Sequence, residues 1–185
     1  MGALLALSGV ADAQLVNTEF DTDLSGWRVT VESRTSWVDE DSNGNPSSGA
    51  VELTNPADGN GGVSYTIEQC INIENATFPY LMKASARVLS EGETGISANI
   101  MLWEHNGPDC TQFVGFIQFV ELNQDSPVWE SGFEPFTPAG PDTRSVAVRL
   151  GIRKEIGTGA GGRVQYDDLY FGNENNLFRD RFEGD

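Results

Sequence analysis

The chain has 185 residues, 38% hydrophobic content and 21 glycines, with 28 acidic against 11 basic side chains and a formal net charge of −17. One domain with a real core is expected at this length. Nucleic acid and anionic membrane surfaces are poor partners for so acidic a protein, because both are held through positive footprints. Divalent cations and neutral polymers fit better; the plainer alternative is that the acidity only keeps an exported protein soluble.

Met1 to Gln14 reads as the end of a secretory signal, with Ala3-Leu4-Leu5-Ala6-Leu7 as its apolar region and Ala11-Asp12-Ala13 as the cleavage pattern. No Lys or Arg precedes the apolar run, so the natural start is expected upstream, and the run is too short to span a bilayer. The expected organisation is a leader over 1–13, one domain over 14–172 and a polar tail over 173–185. The mature chain is expected to be secreted or periplasmic, not inserted in a membrane, and monomeric.

Alternation with period two then recurs between turn signals. Trp27, Val29 and Val31 share one face of a first strand, with Trp27 in the core. Val51 and Leu53 mark a second, after Ser42-Asn43-Gly44-Asn45-Pro46. A third runs from about Val63 to Ile73, beyond Gly59-Asn60-Gly61-Gly62. Met82, Ala84, Ala86 and Val88 line a fourth, and Ile96, Ala98, Ile100 and Leu102 a fifth. Phe113 to Leu122 is apolar on both faces, which predicts a central strand. Val128 to Phe136 is a weaker candidate. Val146, Val148, Leu150 and Ile152 line another strand, the Gly-rich stretch Ile156 to Gly162 reads as a hairpin loop, and a last strand covers about Arg163 to Phe171. Eight or nine strands without a helix predict an all-β jelly-roll β-sandwich of two antiparallel sheets.

Cys70 and Cys110 suit an oxidising compartment and are expected to form a disulfide; two free thiols are the alternative. The last strand contains a phase shift. Val164 and Tyr166 have one parity, Leu169 and Phe171 the other. All four pack inward only if the chain bulges at Asp167-Asp168, which turns a carboxylate toward the interior. A buried anion needs a partner, and Glu19 is its companion if the two ends of the domain meet. Paired carboxylates with backbone carbonyls suit Ca²⁺; a solvated Asp pair at the strand end is the alternative.

Asn17-Thr18-Glu19-Phe20, Leu24-Ser25-Gly26-Trp27, Ser48-Gly49-Ala50-Val51-Glu52-Leu53 and Tyr166-Asp167-Asp168-Leu169, in this order, resemble the CenC-type carbohydrate-binding domains among the galactose-binding-like jelly rolls. The likeness covers Leu15 to about Phe171. It implies a non-catalytic module that binds a polysaccharide or glycan. It also implies a structural calcium held by Glu19 and by either Asp167 or Asp168. The Asn-Gly-x-Phe-Glu form of that family is altered here, with Glu before Phe. Leu177 to Glu183 resembles a short aromatic-acidic ending of assorted secreted proteobacterial proteins.

A second acidic stretch, Asp39-Glu40-Asp41-Ser42-Asn43-Gly44, opens like an EF-hand loop, but its twelfth position is Ala50 and the bidentate Glu is missing. An ordinary turn is the competing reading. Sugar recognition asks for aromatic faces beside planar polar groups. Ser97, Asn99, Met101 and Trp103 offer these on one face of the fifth strand. Lys83, Ser85 and Arg87 are expected beside them, with Arg149 from the eighth strand and Gln118 from the central one. Trp37 and Tyr65 are further aromatic candidates near loops. Catalysis has little support: His105 is the sole histidine and falls in a turn, where a solvated surface position is expected. No nucleophile motif or zinc spacing occurs. The alternative to sugar binding is a structural or adhesive secreted domain of the same fold.

Overall fold

The computed structural model describes residues 14–57, 60–90, 94–157 and 161–173. The leader over 1–13 lies outside these, as does the tail expected over 173–185 except Asn173, which closes the last strand. Ten strands are described: β1 (Arg28–Val29), β2 (Thr35–Val38), β3 (Ala50–Asn55), β4 (Gly62–Asn72), β5 (Tyr80–Val88), β6 (Ile96–His105), β7 (Phe113–Gln124), β8 (Glu130–Phe136), β9 (Ser145–Lys154) and β10 (Gly162–Asn173). They form two five-stranded antiparallel sheets. The front sheet has the order β1-β4-β9-β6-β7 and the back sheet β2-β3-β10-β5-β8. The all-β jelly-roll sandwich is therefore the observed architecture.

Period-two alternation builds the core. Ile96, Ala98, Ile100 and Leu102 on β6 and Val146, Val148, Leu150 and Ile152 on β9 point inward from the front sheet, all at most 1% exposed. They meet Met82, Ala84 and Ala86 of β5 and Val164, Tyr166 and Phe171 of β10, equally buried. The Tyr166 hydroxyl crosses the sandwich to donate to the Gly151 carbonyl at 2.5 Å, which satisfies a phenol that burial would otherwise leave unpaired.

Four expectations are corrected. The first strand is only two residues long. The Thr30 and Val31 amides both turn to the Thr66 carbonyl, at 2.8 and 3.3 Å, where β4 bulges, so the ladder stops there. A 3-10 turn at Glu32–Arg34 follows, and β2 then joins the other sheet. Second, β7 is an edge strand, not a central one. Its second apolar row, Phe113, Ile117 and Phe119, is 50, 40 and 57% exposed. Third, β9 and β10 lie in different sheets and do not pair, so they form no hairpin. Fourth, β5 and β6 also separate into different sheets, so Lys83, Ser85 and Arg87 stand on the opposite outer face from Trp103.

Candidate functional site

The outer face of the front sheet is assembled by register. Arg28 of β1, Glu68 of β4, Arg149 of β9, Met101 of β6 and Phe119 of β7 form one row across all five strands. Cys70, Ala147, Trp103 and Ile117 form the next row, and Asn72, Ser145, His105 and Phe113 the one after. These rows frame a cleft of about 610 Å³ whose lining includes Arg28, Glu68, Trp103, His105, Asp109 and Arg149.

The disulfide Cys70–Cys110, with Cα atoms 5.9 Å apart, forms part of the wall. It ties the loop after β6 to β4. The same loop is pinned again by Asp109 N to Asn72 Oδ1 at 2.8 Å and by Cys110 N to Ser145 Oγ at 3.0 Å. Three of its residues, Asp109, Cys110 and Gln112, hold left-handed backbone at φ 53, 53 and 58°. Such conformations persist only where the surroundings over-determine them.

The charges of the cleft are mutually engaged. Glu68 pairs through Oε1 with Arg28 and through Oε2 with Arg149, the latter at 2.7 Å. The Arg149 guanidinium also lies 4.3 Å from the Trp103 ring centre and 5.7 Å from that of Tyr65. Tyr65 lies across Gly151, where a Cβ would fall 2.5 Å from its ring, and its hydroxyl meets Asn99 Oδ1 at 2.6 Å. Burial pushes the Tyr65 phenol well above its ordinary value, against the smaller opposing effect of Arg149.

Trp103 is thus covered in part by Arg149 and in part by Phe113, whose ring stands 5.0 Å away. The open apolar surface belongs to Phe113 and Phe119 instead. His105, expected on the surface of a turn, closes β6 and is 6% exposed. Burial holds its imidazole below the usual value; the Thr111 backbone and the Glu68 charge act the other way.

Of the six sugar-site residues named from sequence, the fold brings Trp103, Asn99 and Arg149 together, with Asn99 buried beneath Tyr65. Gln118 has the opposite parity on β7 and donates to the Pro135 carbonyl at 2.9 Å. Arg87 lies on the back sheet, over Trp129 at 4.8 Å, bonded to Gln165 at 2.7 Å and to Glu40 at 2.6 Å. Trp37 lies on β2, and its indole donates to the Phe20 carbonyl at 2.7 Å, anchoring the entry segment. Sequence reasoning missed Arg28, Glu68, Phe113 and Phe119. The odd-numbered row of β7 carried the signal for the two phenylalanines, but was read as a second buried face.

A second arrangement joins the two ends of the domain. The Leu169 amide donates to the Thr18 carbonyl at 3.1 Å, and β10 bulges between Asp167 and Tyr170 with Asp168 at φ 49°. The shift lets Val164, Tyr166, Leu169 and Phe171 all pack inward and leaves Asp167 fully buried. Its oxygens accept the Asp168 amide at 2.7 Å and the Ser42 amide at 2.8 Å. Asp168 Oδ2 meets Lys83 Nζ at 2.5 Å. Burial raises the Glu19 carboxyl to about 7, helped by the charges of Asp168 and Asp167. Burial raises Asp167 as well.

The loop around Asp41 is part of this arrangement and not a site of its own. Asp41 Oδ1 accepts the Asn43 and Asn45 amides, both at 2.7 Å, folding the loop so that Ser42 reaches Asp167. Among the described residues, no three His, Cys, Asp or Glu side chains are gathered so as to hold a metal ion by themselves. Two oxygens beside Asp167, Asp41 Oδ2 and Ser42 Oγ, are nevertheless buried and lack a partner of good hydrogen-bond geometry, although the Ser42 hydroxyl is close enough to act on the Asp167 carboxyl. An oxygen-only donor set with orphaned members suits a hard cation that also draws on carbonyls.

No family model matches the chain, and no curated protein matches it. Solved structures share its fold. A family 61 carbohydrate-binding module in complex with β-1,4-galactotriose superposes with a TM-score of 0.55 at 16% identity, over 86% of this chain and 97% of that one. The CBM22-1 xylan-binding domain of Xyn10C from Paenibacillus barcinonensis gives 0.52 at 10% identity, over 88% and 96%. The Stig cyclase FisC from Fischerella sp. TAU, bound to an indole compound, gives 0.55 at 11% identity, over 88% and 97%. At such identities the likeness shows the fold alone.

Proposed function

We propose that this protein is a non-catalytic, extracellular carbohydrate-binding module of the CenC type, held together by a structural calcium ion. The observation that carries the reading is the front-sheet cleft, where an apolar row on β7 adjoins planar charged and aromatic groups on β9, β6 and β4. Pyranose CH faces stack on exposed aromatic rings, and hydroxyls find donors and acceptors alongside. Phe119 and Phe113 supply the stacking surface; Arg28, 73% exposed in its side chain, and Asp109 supply polar edges. Five strands spaced about 4.8 Å apart span roughly 19 Å, which suits a few consecutive sugars of one chain. Modules of this fold in complex with galactotriose, or named for xylan binding, support the ligand class.

Because this fold also occurs in a cyclase, the chemistry of the cleft matters. Both Glu68 oxygens are engaged by guanidinium groups, and Asp109 Oδ1 accepts from Asn72 at 2.9 Å. Glu68 is therefore not free for acid–base work, which favours binding over catalysis. Calcium would be held by the paired carboxylates Asp167 and Glu19 together with backbone carbonyls and the Ser42 hydroxyl. Asp168 contributes less, since Lys83 already engages it. The ion would neutralise these carboxylates and clip the entry segment to β10. Export fits the disulfide.

Affinity electrophoresis in gels containing β-1,4-galactan, xylan or soluble β-glucan tests the reading. We expect retardation by at least one polymer and its loss in Trp103→Ala, where Arg149 loses the ring it rests on. A wild type that migrates unretarded through all of them would sink the proposal.

A further inference from the structure

His105 is the sole histidine of the chain. It lines the cleft, both ring nitrogens are buried, and neither has a partner of good hydrogen-bond geometry; the Thr111 backbone is the one group close enough to take the ring N–H. A neutral imidazole carries one donor and one acceptor, and leaving both unpaired away from water is unfavourable. Native structures seldom keep such a group without a reason. Other polar groups of the face have partners: Asn99 accepts from the Tyr65 hydroxyl, Asp109 accepts from Asn72, and Arg149 Nε, though without a hydrogen bond of good geometry, is ion-paired with Glu68.

The surroundings of the ring define what it can bind. Phe113 stands 5.7 Å from it, on an edge strand and half exposed. The Thr111 backbone acts on the ring from the pinned wall loop. A half-turn about χ2 exchanges the nitrogen and carbon positions of the ring, and imidazole χ2 is broadly permissive. With the N–H directed at the Thr111 carbonyl, the free nitrogen is an acceptor and seeks an O–H.

On the carbohydrate reading above, we propose that His105 is the specificity-determining residue of the cleft: its imidazole accepts a hydrogen bond from a hydroxyl of a neutral glycan. The nitrogen left unpaired in the free protein thus becomes paired only when sugar is bound. Burial keeps the imidazole neutral, so that the acceptor is present at neutral pH.

His105→Phe fills similar space without polar atoms and separates this role from packing. We expect Tm to hold or rise, since a buried unpaired group is removed, while affinity for β-1,4-galactan or xylan in the gel falls at least about tenfold. A variant that binds as tightly as the wild type overturns the proposal, whatever its Tm. Should the variant lose both binding and Tm, the wild type decides. As the protein has one imidazole, its nitrogen NMR signals are unambiguous, and saturating xylohexaose or β-1,4-galactotriose must shift them. Unmoved signals at saturation overturn the proposal. A wild type silent toward every glycan overturns the carbohydrate reading as well, whereas binding that ignores the His105 change overturns this inference alone.

Discussion

Glu19 and Asp167 make the stability of the metal-free protein depend on pH in an uncommon direction. Both carboxyls are raised on folding, Glu19 from 4.5 to about 7. Between those values the folded state binds more protons than the unfolded chain, so stability falls with increasing pH. The Glu19 contribution is fully present below pH 4.5 and is lost as pH rises through about 7. Thermal melts in chelator from pH 4 to 8 should show Tm declining across that window, and Glu19→Gln should flatten the decline. A Tm that climbs steadily to neutrality in the wild type would contradict the burial of this pair. Gly151 makes a second residue-scale case. Its missing Cβ lets Tyr65 lie flat and reach Asn99. Gly151→Ala should cost about 1–3 kcal/mol in denaturant unfolding, with partial rescue by Tyr65→Ala.

At the scale of elements, the disulfide and the edge strand have separable roles. Cys70 and Cys110 are 40 residues apart in sequence. Closing such a loop contributes roughly 4 kcal/mol in the chain-entropy model. Because the bridge also fixes one wall of the cleft, the Cys70→Ser/Cys110→Ser variant should lose glycan affinity along with Tm. The outward row of β7 behaves differently. Phe119 is 57% exposed and pairs with Met101, so Phe119→Ala should change stability by less than about 0.5 kcal/mol while weakening retardation in the gel. A large loss of Tm with intact binding would make Phe119 a packing residue instead.

The molecule as a whole is a sandwich whose entry segment, around Thr18 and Glu19, and last strand meet beside acidic groups. With −17 formal charges, the compact state carries self-repulsion, and the cluster at Glu19, Asp167 and Asp168 concentrates it. Calcium should therefore act as a clip for the entire fold: chelator lowers Tm, and calcium at a hundredfold excess over Kd restores about 2.7 kcal/mol. Asp167→Asn should abolish the calcium response and lower the chelated Tm modestly, since its amide nitrogen would face one of the two backbone N–H donors that the carboxylate oxygens accept. A Tm indifferent to both calcium and chelator would leave the cluster a network closed by Lys83 alone.

What the sequence determined by itself is everything that alternation and parity encode. The inward rows of β5, β6, β9 and β10 follow from a pleat that sends successive side chains to opposite faces. The bulge at Asp167-Asp168 follows from the broken parity between Tyr166 and Leu169. The Cys70–Cys110 bridge follows from there being two cysteines in a chain that reads as exported. Parity says nothing about which strand lies beside which. Only the tertiary structure decided that β5 and β6, consecutive in the chain, face opposite solvents, which removed Arg87 from the company of Trp103. It also decided that β7 ends a sheet, exposing Phe113 and Phe119, and that His105 sits buried beside a cleft. The physical reason is that strand order arises from long-range pairing and loop closure, and a local pattern of apolar residues fixes only the face that each strand turns inward.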